Sequence, residues 1–465
     1  MRSPVPFVIV SVGLLVSASC AVKQPPPPAD ALKSVLPATT ALPVFYKESS
    51  RVAGIVNTTW VATFNDTQLD ALVIEGLQNN LELKAATSRI DAAAGLATQA
   101  QSLLYPQIAI IGGAGLVGRD NVKDRSGIAG SLNWELDLWG RVRAQAASAA
   151  AAQQAVESDL LFARQSLAAS VTTLWFNTVA AERLRLTAQD AITIYGDLLR
   201  LVQTQNNIGQ VGQEEVNLAG ADLDRARRLE RGYATSRQTI VRGLEVLVGR
   251  YPSAELALAP DLPPMPGPVP EGLPAELLTR RADLVAAERA VAAAFHLIQV
   301  AEAARLPRIA LTGSGGVSTS ELLRLANVPA SFWQFGADML APLFTAGALQ
   351  AQVKIANADQ QAALALYGQA VLRAFNEVET SLANEQLLAD QQRYLESVLA
   401  QDTEAVRLGR LRYTAGATDL LHVLQLQAKQ LSTRFDLIGL QNERLANRVA
   451  LHLALGGGFE PPPQP

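Results

Sequence analysis

The sequence predicts a mainly α-helical chain that also contributes strands to a transmembrane β-barrel. Three observations predict this class: long intervals without proline, four segments that alternate with period two, and an order of elements that occurs twice. The 465 residues are 49% hydrophobic and 18% charged, with a formal net charge of −4. Because no run of Lys or Arg accompanies this mildly acidic balance, the composition argues against a nucleic-acid-binding protein.

Residues 1–19 have the pattern of a bacterial export signal. Arg2 precedes an apolar run from Phe7 to Val16, which is too short to span a bilayer, and small residues follow. Cys20, the only cysteine, stands at the expected cleavage site, which predicts a covalent lipid there; a buried free thiol is the alternative. Ser17 stands where such signals usually carry leucine. The lipid on Cys20 is the only non-protein group we expect, and residues 20–65 are predicted to form the tether that follows it.

Long helices are predicted in two intervals that lack proline, from Pro106 to Pro252 and from Pro342 to Pro461. The first contains Arg141 to Gln205, about 65 residues without a turn signal, which would span ~98 Å as a helix. Small and apolar residues recur there at alternating spacings of three and four, which predicts a coiled-coil seam, with an ordinary bundle core as the alternative.

The two halves of the chain resemble each other. Tyr105-Pro106 has a counterpart in Leu306-Pro307, and Gly209 has one in Gly416. The sequence therefore predicts a first repeat at 66–249, a connector at 250–273, a second repeat at 274–458 and a proline-rich tail at 459–465. Each repeat reads helix, two strands, long helix, helix, and the predicted helices are Leu69–Leu104, Arg141–Gln205, Gln213–Val248, Ala275–Arg305, Ala348–Leu411 and Asp419–Leu455.

The predicted strands are amphipathic. Between Ser126 and Trp139, one face carries large apolar residues and the other carries Ser131, Asn133, Glu135 and Asp137. In the second repeat Trp333, Phe335, Ala337 and Met339 oppose Gln334 and Asp338. A half-buried soluble sheet shows the same alternation. The export signal and the lack of another apolar surface for the sheet to cover favour membrane strands. A sheet of four strands cannot leave its edges open in lipid, and bacterial barrels have at least about eight strands. One chain therefore supplies too few strands, and an oligomer is expected.

Several motifs resemble those of TolC-like outer-membrane efflux proteins. Trp134-Glu135-Leu136-Asp137-Leu138-Trp139-Gly140-Arg141 is similar to the strand-to-helix signature of that family. Arg280-Arg281-Ala282-Asp283-Leu284 with Glu288 resembles the double-arginine motif of its lipoprotein branch, the OprM and NodT type, although Ala282 replaces the usual proline. The opening motif of the family is matched by Trp60, Phe64, Asp66, Leu69, Leu72 and Asn80.

The resemblance implies a homotrimer with a 12-stranded barrel in the outer membrane of a Gram-negative bacterium and a periplasmic helical tunnel. Residues near both chain ends and the connector 250–273 would form an equatorial belt. Such proteins are exit ducts of tripartite efflux pumps, joined by a periplasmic adaptor to a proton-driven transporter of the resistance-nodulation-division type. The outer-membrane component of a type I secretion system is the alternative function. No enzymatic chemistry is expected, since the sequence has no nucleophile–base pair, phosphate loop or metal cluster.

The resemblance also implies site residues. Gly209 and Gly416 would form the hairpin tips that contact the adaptor. The apolar ring of the periplasmic aperture falls on Leu421, two family aspartate positions fall on His422 and Gln425, and a further acidic position falls on Glu215, with Asp419 nearby. Three copies of His422 would make the aperture pH-sensitive, while a solvated surface histidine is the alternative. His296 and His452 are expected on helix surfaces. The barrel lumen would contain Asn133, Glu135, Asp137, Gln334 and Asp338, with no metal site.

Overall fold

The structure is a computed structural model of the chain. The signal peptide predicted at 1–19, Cys20 with its predicted lipid, Gly458 and the tail predicted at 459–465 lie outside the described residues. The structure describes residues 22–37, 40, 43–48, 59–117, 123–259, 261–319 and 331–457.

The described elements are mostly helices. The helices are α1 (Pro28–Val35), α2 (Thr67–Asn79), α3 (Leu81–Ser102), α4 (Arg141–Asn207), α5 (Gln213–Leu247), α6 (Pro274–Arg280), α7 (Ala282–Ala303), α8 (Ala348–Thr414) and α9 (Leu420–Ala454), with a short 3-10 helix at Trp60–Phe64. The strands are β1 (Gln107–Val117), β2 (Lys123–Leu136), β3 (Arg308–Thr319) and β4 (Ser331–Leu340). Helices α4 and α8 have 67 residues each, α5 and α9 have 35 each, and α3 and α7 have 22 each.

The prediction of one continuous helix at the start of each repeat is wrong in both cases. The first helix is interrupted at Asn80, whose backbone is extended (φ −57°, ψ 127°). The Asn80 side chain accepts from the Leu83 N–H and donates to the Leu247 carbonyl, so it caps α3 and ties it to α5. Asparagine competes with helical hydrogen bonding in this way.

The second interruption lies at Arg281, between α6 and α7. Its backbone is also extended, with φ −75° and ψ 118°. The guanidinium is 3% exposed, lies 2.6 Å from the Glu377 carboxylate and donates to the Ala454 carbonyl at 3.3 Å. Tertiary contacts of one buried arginine therefore replace helix continuation.

The described residues divide into two compact units. The first comprises parts of 1–40, 87–159 and 283–370, and the second comprises parts of 41–86, 160–282 and 371–465. In the first unit β1, β2, β3 and β4 form one antiparallel sheet in chain order. Two indoles fix the end of this sheet: Trp134 donates to the Leu104 carbonyl at 3.0 Å, and Trp139 donates to the Pro307 carbonyl at 2.7 Å.

The second unit contains the larger apolar core. The 3-10 helix and α2 pack on α4, α5 and the end of α9, and burying this much apolar surface is the main stabilising contribution. Among the largest buried side chains of this core are Trp60, Phe64, Leu69, Trp175, Phe176 and Leu244.

The expectation that His296 and His452 lie on helix surfaces is wrong. His296 is 6% exposed, and burial lowers its pKa below the ordinary value. His452 is 3% exposed and stacks on Trp60, with ring centroids 5.3 Å apart and planes at 13°. Burial, assisted by the positive charge of Arg448, lowers the pKa of His452 to about 3. The helical period alone did not distinguish these buried faces from exposed ones.

Candidate functional site

The register of the sheet gathers the alternating residues onto two distinct faces. Directly paired residues share a face, and Ile108 pairs with Leu132, Leu132 with Gly313, and Gly313 with Phe335. The apolar face contains Ile108, Ile110, Ile128, Leu132, Trp134, Leu136, Ile309, Leu311, Val317, Trp333, Phe335, Ala337 and Met339. The opposite face is largely polar and contains Gln107, Ser131, Asn133, Glu135, Arg308, Thr312, Ser314, Gln334 and Asp338, with Ile111 and Phe332 in one row.

The apolar face is uncovered in the single chain. Ile110, Trp333 and Phe335 are 81%, 79% and 75% exposed. The outer edges of β1 and β4 have no strand partner among the described residues. A contiguous apolar face of this kind marks a surface that contacts lipid or another protein, and unpaired strand edges are templates for pairing with another chain.

The predicted lumen residues differ in their contacts. Asn133, Gln334 and Asp338 are exposed on the polar face, and Thr312 donates to Asp338 at 3.1 Å. Glu135 lies on the same face but is half-buried, and Arg141 donates to both of its oxygens at 2.9 and 2.7 Å. The lumen assignment of these residues stays a prediction.

Asp137 corrects the predicted end of the second strand. β2 ends at Leu136, so Asp137 belongs to the turn that precedes α4. Its carboxylate accepts from the N–H groups of Val142 and Arg143 at 3.0 and 2.9 Å, and from Nε of Arg143 at 3.0 Å. A carboxylate at the N-terminus of a helix satisfies backbone donors and interacts favourably with the helix dipole. Asp137 therefore has a structural role at the strand-to-helix turn, and its place in a lumen is not tested by these contacts.

The two helix turns share one backbone design. Gly209, after α4, has φ +77°, and Gly416, after α8, has φ +70°. In each turn the residue after the glycine donates to a carbonyl five positions earlier, Gln210 to Gln205 and Ala417 to Arg412. This is the Schellman arrangement, which requires positive φ and favours glycine. Both glycines therefore suit a reversal of the chain between two helices, and their contact with an adaptor stays a prediction.

The first turn of α9 presents different side chains on different faces. Asp419 caps the helix by accepting from the His422 N–H at 2.8 Å. Leu421 is 37% exposed, and His422 and Gln425 are exposed as well. Glu215, in the first turn of α5, is also exposed. The structure thus leaves the predicted aperture residues free of the protomer's own core.

Leu424 lies in the same turn of α9, and its burial is not among the features predicted from the sequence. Leu424 is 5% exposed and packs with Leu198 and Val202 of α4 and Ala219 of α5. Leu431, two turns later, packs with Ala191 and Ala226. Leu424 and Leu431 are seven residues apart, and this spacing is the sequence signal that could have identified the packed face.

Charged groups tie α8 to α9 further from the turn. Asp402 is 5% exposed, accepts from the Thr433 hydroxyl at 2.7 Å and lies 3.2 Å from the Lys429 ammonium. In the described part of the chain, no group of three His, Cys, Asp or Glu side chains is arranged to hold a metal ion.

Comparisons with known proteins agree with this architecture. The chain is 29% identical to the pyoverdine export outer membrane protein OpmQ of Pseudomonas putida over 431 residues, covering 89% of this chain and 90% of OpmQ. It is 28% identical to the cation efflux system protein CusC of Escherichia coli K12 over 438 residues, covering 90% and 94%. The solved open state of the MtrE outer membrane channel of Neisseria gonorrhoeae superposes with a TM-score of 0.84 at 26% identity, covering 96% of this chain and 100% of MtrE. Residues 72–250 and 273–457 match the outer membrane efflux protein family, to which this chain belongs.

Proposed function

We propose that this protein is the outer-membrane exit duct of a tripartite efflux pump and passively conducts small molecules from the periplasm to the exterior. The observation that carries the proposal is the sheet with one apolar face, one polar face and two open edges, attached to helices of 67 residues. A helix of that length spans ~100 Å. Such a sheet suits a barrel wall between lipid and water.

The open edges support a homotrimer as the working form. Four strands per chain give twelve in a trimer, and pairing β1 of one copy with β4 of the next closes the barrel without free edges. The polar face, with Asn133, Gln334 and Asp338, would then line the lumen. The helix turns at Gly209 and Gly416 would form the periplasmic tips and contact a periplasmic adaptor, with an inner-membrane proton-driven transporter as the third component.

A covalent lipid on Cys20 is part of the proposal, and the position of that cysteine after an export signal supports it. The aperture of the duct would be formed by three copies of Leu421, His422 and Gln425, with Asp419 and Glu215 near it. Exposure of Leu421, His422 and Gln425 in the single chain supports this assignment, because pore-lining side chains must not be buried within their own protomer.

Two neighbouring residues of β4 provide a direct test of which face of the sheet contacts lipid. Phe335 and Gln334 are both exposed in the single chain but lie on opposite faces of the sheet. An arginine on the lipid face costs about 2–4 kcal/mol at mid-membrane depth. We therefore expect Phe335→Arg to reduce the amount of trimer recovered from outer membranes, while the matched variant Gln334→Arg inserts normally.

The readouts are trimer recovered from outer membranes, oligomer mass in detergent and single-channel conductance in planar bilayers. Wild-type protein that is monomeric and forms no pores would reject the proposal. Equal insertion of Phe335→Arg and Gln334→Arg would reject the assignment of the two faces. Palmitate labelling that persists in Cys20→Ala would reject the lipid anchor.

A further inference from the structure

A polar cavity of about 430 Å³ lies within the second unit, between α2 and the beginning of the connector 250–273. Helix α2 lines it with one face, because Gln68, Leu72 and Glu75 follow helical spacing. The connector contributes Arg250 and Tyr251, together with the residues that follow them. The volume lies in the range of about 300–1,000 Å³ that is typical of small-molecule sites.

The backbone of this part of the connector is held in a fixed and unusual conformation. Glu245 is 3% exposed, and its carboxylate accepts from the N–H groups of Ala254 at 2.8 Å and Glu255 at 3.1 Å. Ala254 has φ +63°, in the left-handed region that residues other than glycine rarely adopt. Strained backbone of this kind is concentrated at binding sites, where the surrounding structure maintains it. The amide of Gln68 also donates to the Ala257 carbonyl, so the loop shape does not depend on a ligand.

The side chains at the cavity offer an aromatic surface beside planar polar groups. Tyr251 is 85% exposed, and its side chain has no hydrogen-bond or ring partner in the described part of the chain. Arg250 donates to both oxygens of Glu75 at 2.6 Å, and these side chains remain 45% and 25% exposed. Their remaining N–H groups and lone pairs are available to a ligand. The Glu255 side chain is exposed at the same cavity.

This lining disfavours two classes of ligand. Carboxylates of Glu75, Glu245 and Glu255 outnumber the single guanidinium of Arg250, which disfavours an anion. The polar lining also disfavours a strongly apolar molecule, because its polar groups would lose water without gaining partners. A sugar fits both features, since the C–H face of its ring stacks on an aromatic ring and its adjacent hydroxyls pair with planar carboxylate, guanidinium and amide groups.

We propose that this cavity binds a neutral oligosaccharide, with Tyr251 as the stacking surface and Glu75, Arg250 and Gln68 as the groups that bind hydroxyls. The placement of the cavity in the periplasm rests on the proposed function. In that compartment the cell wall contains N-acetylglucosamine, a neutral amino sugar, and these units of its strands are the source to which we assign the ligand. Binding there would hold the protein to the wall through its connector, away from the helix tips.

Isothermal titration calorimetry, in which sugars are added to the purified full-length protein in detergent, tests the proposal. The probes are the tetramer of N-acetylglucosamine and, as the alternative source of the same chemistry, a glucose tetramer. We expect saturable binding of the amino-sugar tetramer, weakened about tenfold or more in Tyr251→Ala, as for the loss of one aromatic stacking contact. Tyr251→Phe retains the ring and should bind within about threefold of the wild type. Tyr394→Ala, which removes another exposed tyrosine of the same unit, is the matched control and should bind normally.

Absence of binding to both tetramers, or equal binding by wild type and Tyr251→Ala, would overturn the site. Preference for the glucose tetramer would overturn the assignment to the cell wall. Single-channel conductance should be unchanged in Tyr251→Ala, since the residue is not among the pore residues. Failure of the duct proposal would instead appear as wild-type protein without pores, whatever its affinity for sugars, so the two failures are distinguishable.

Discussion

The indole N–H of Trp175 donates a 2.7 Å hydrogen bond to Oδ2 of Asp66, whose Oδ1 accepts from the N–H groups of Gln68 and Leu69. One carboxylate thus caps α2 and fixes it to α4 in the core of the second unit. Because Trp175 is fully buried, its N–H has no access to water as a substitute partner.

We expect Asp66→Ala to destabilise the protein by about 2–4 kcal/mol, from the lost helix cap and the unsatisfied indole donor. Asp66→Asn keeps one acceptor oxygen, which can cap α2 or accept from the indole but not both, so it should lose less than Asp66→Ala. Trp175→Phe in the Asp66→Ala background separates the two contributions, because it removes the orphaned donor. Denaturant unfolding followed by circular dichroism measures each free energy. Equal stability of Asp66→Ala and wild type would contradict this account.

Leu424 and Leu421 should respond differently to truncation, although they lie in the same helical turn. Leu424 is buried between α4 and α5, so Leu424→Ala should cost about 2–5 kcal/mol locally and accelerate hydrogen exchange in both helix turns. Leu421 is exposed, so Leu421→Ala should leave exchange unchanged and increase conductance through the proposed aperture. Mass-spectrometric hydrogen exchange and planar-bilayer recording make the comparison. Similar exchange in the two variants would show that Leu424 does not hold the turn.

Acid should destabilise the second unit through His452. The pKa of His452 is about 3 in the folded chain, against 6.5 for the unperturbed side chain. At pH values between these two pKa values, His452 binds a proton in the unfolded chain but not in the folded chain. The free energy of unfolding therefore decreases as the pH falls from about 6.5 towards 3. At the acid end of this range the free energy of unfolding is lower by about 4 kcal/mol.

His452→Phe retains a ring against Trp60 but cannot bind a proton. Its melting temperature should therefore fall less than that of the wild type between pH 6.5 and 4. His296→Phe is the comparison for a histidine without the neighbouring Arg448. Parallel pH profiles for wild type and His452→Phe would contradict the assignment.

The sequence predicted the long helices to within a few residues because proline and glycine mark their ends. Residues Arg141 and Ala348 begin α4 and α8 as expected, and the predicted ends at Gln205 and Leu411 differ from Asn207 and Thr414 by only a few positions. The faces of the sheet were predictable for a similar reason, since period-two alternation leaves only one assignment of each strand once one face is apolar.

The remaining features depend on tertiary contacts that no local pattern records. Asn80 and Arg281 interrupt helices because their side chains bind distant carbonyls and, at Arg281, the carboxylate of Glu377. Leu424 and His452 are buried by partners far away in the chain. The sequence could place Leu421, His422 and Gln425 at the start of one helix, but only the structure separates the exposed residues there from the packed ones.

The unpaired edges of β1 and β4 also have a genetic consequence. In the proposed trimer each copy must supply one edge to each neighbour, so one copy with a defective edge leaves the whole barrel open. If a strand-edge variant and the wild type were made in equal amounts and mixed freely, only about one trimer in eight would contain wild-type copies alone. An allele of this kind should be dominant over the normal one, unlike a simple deletion.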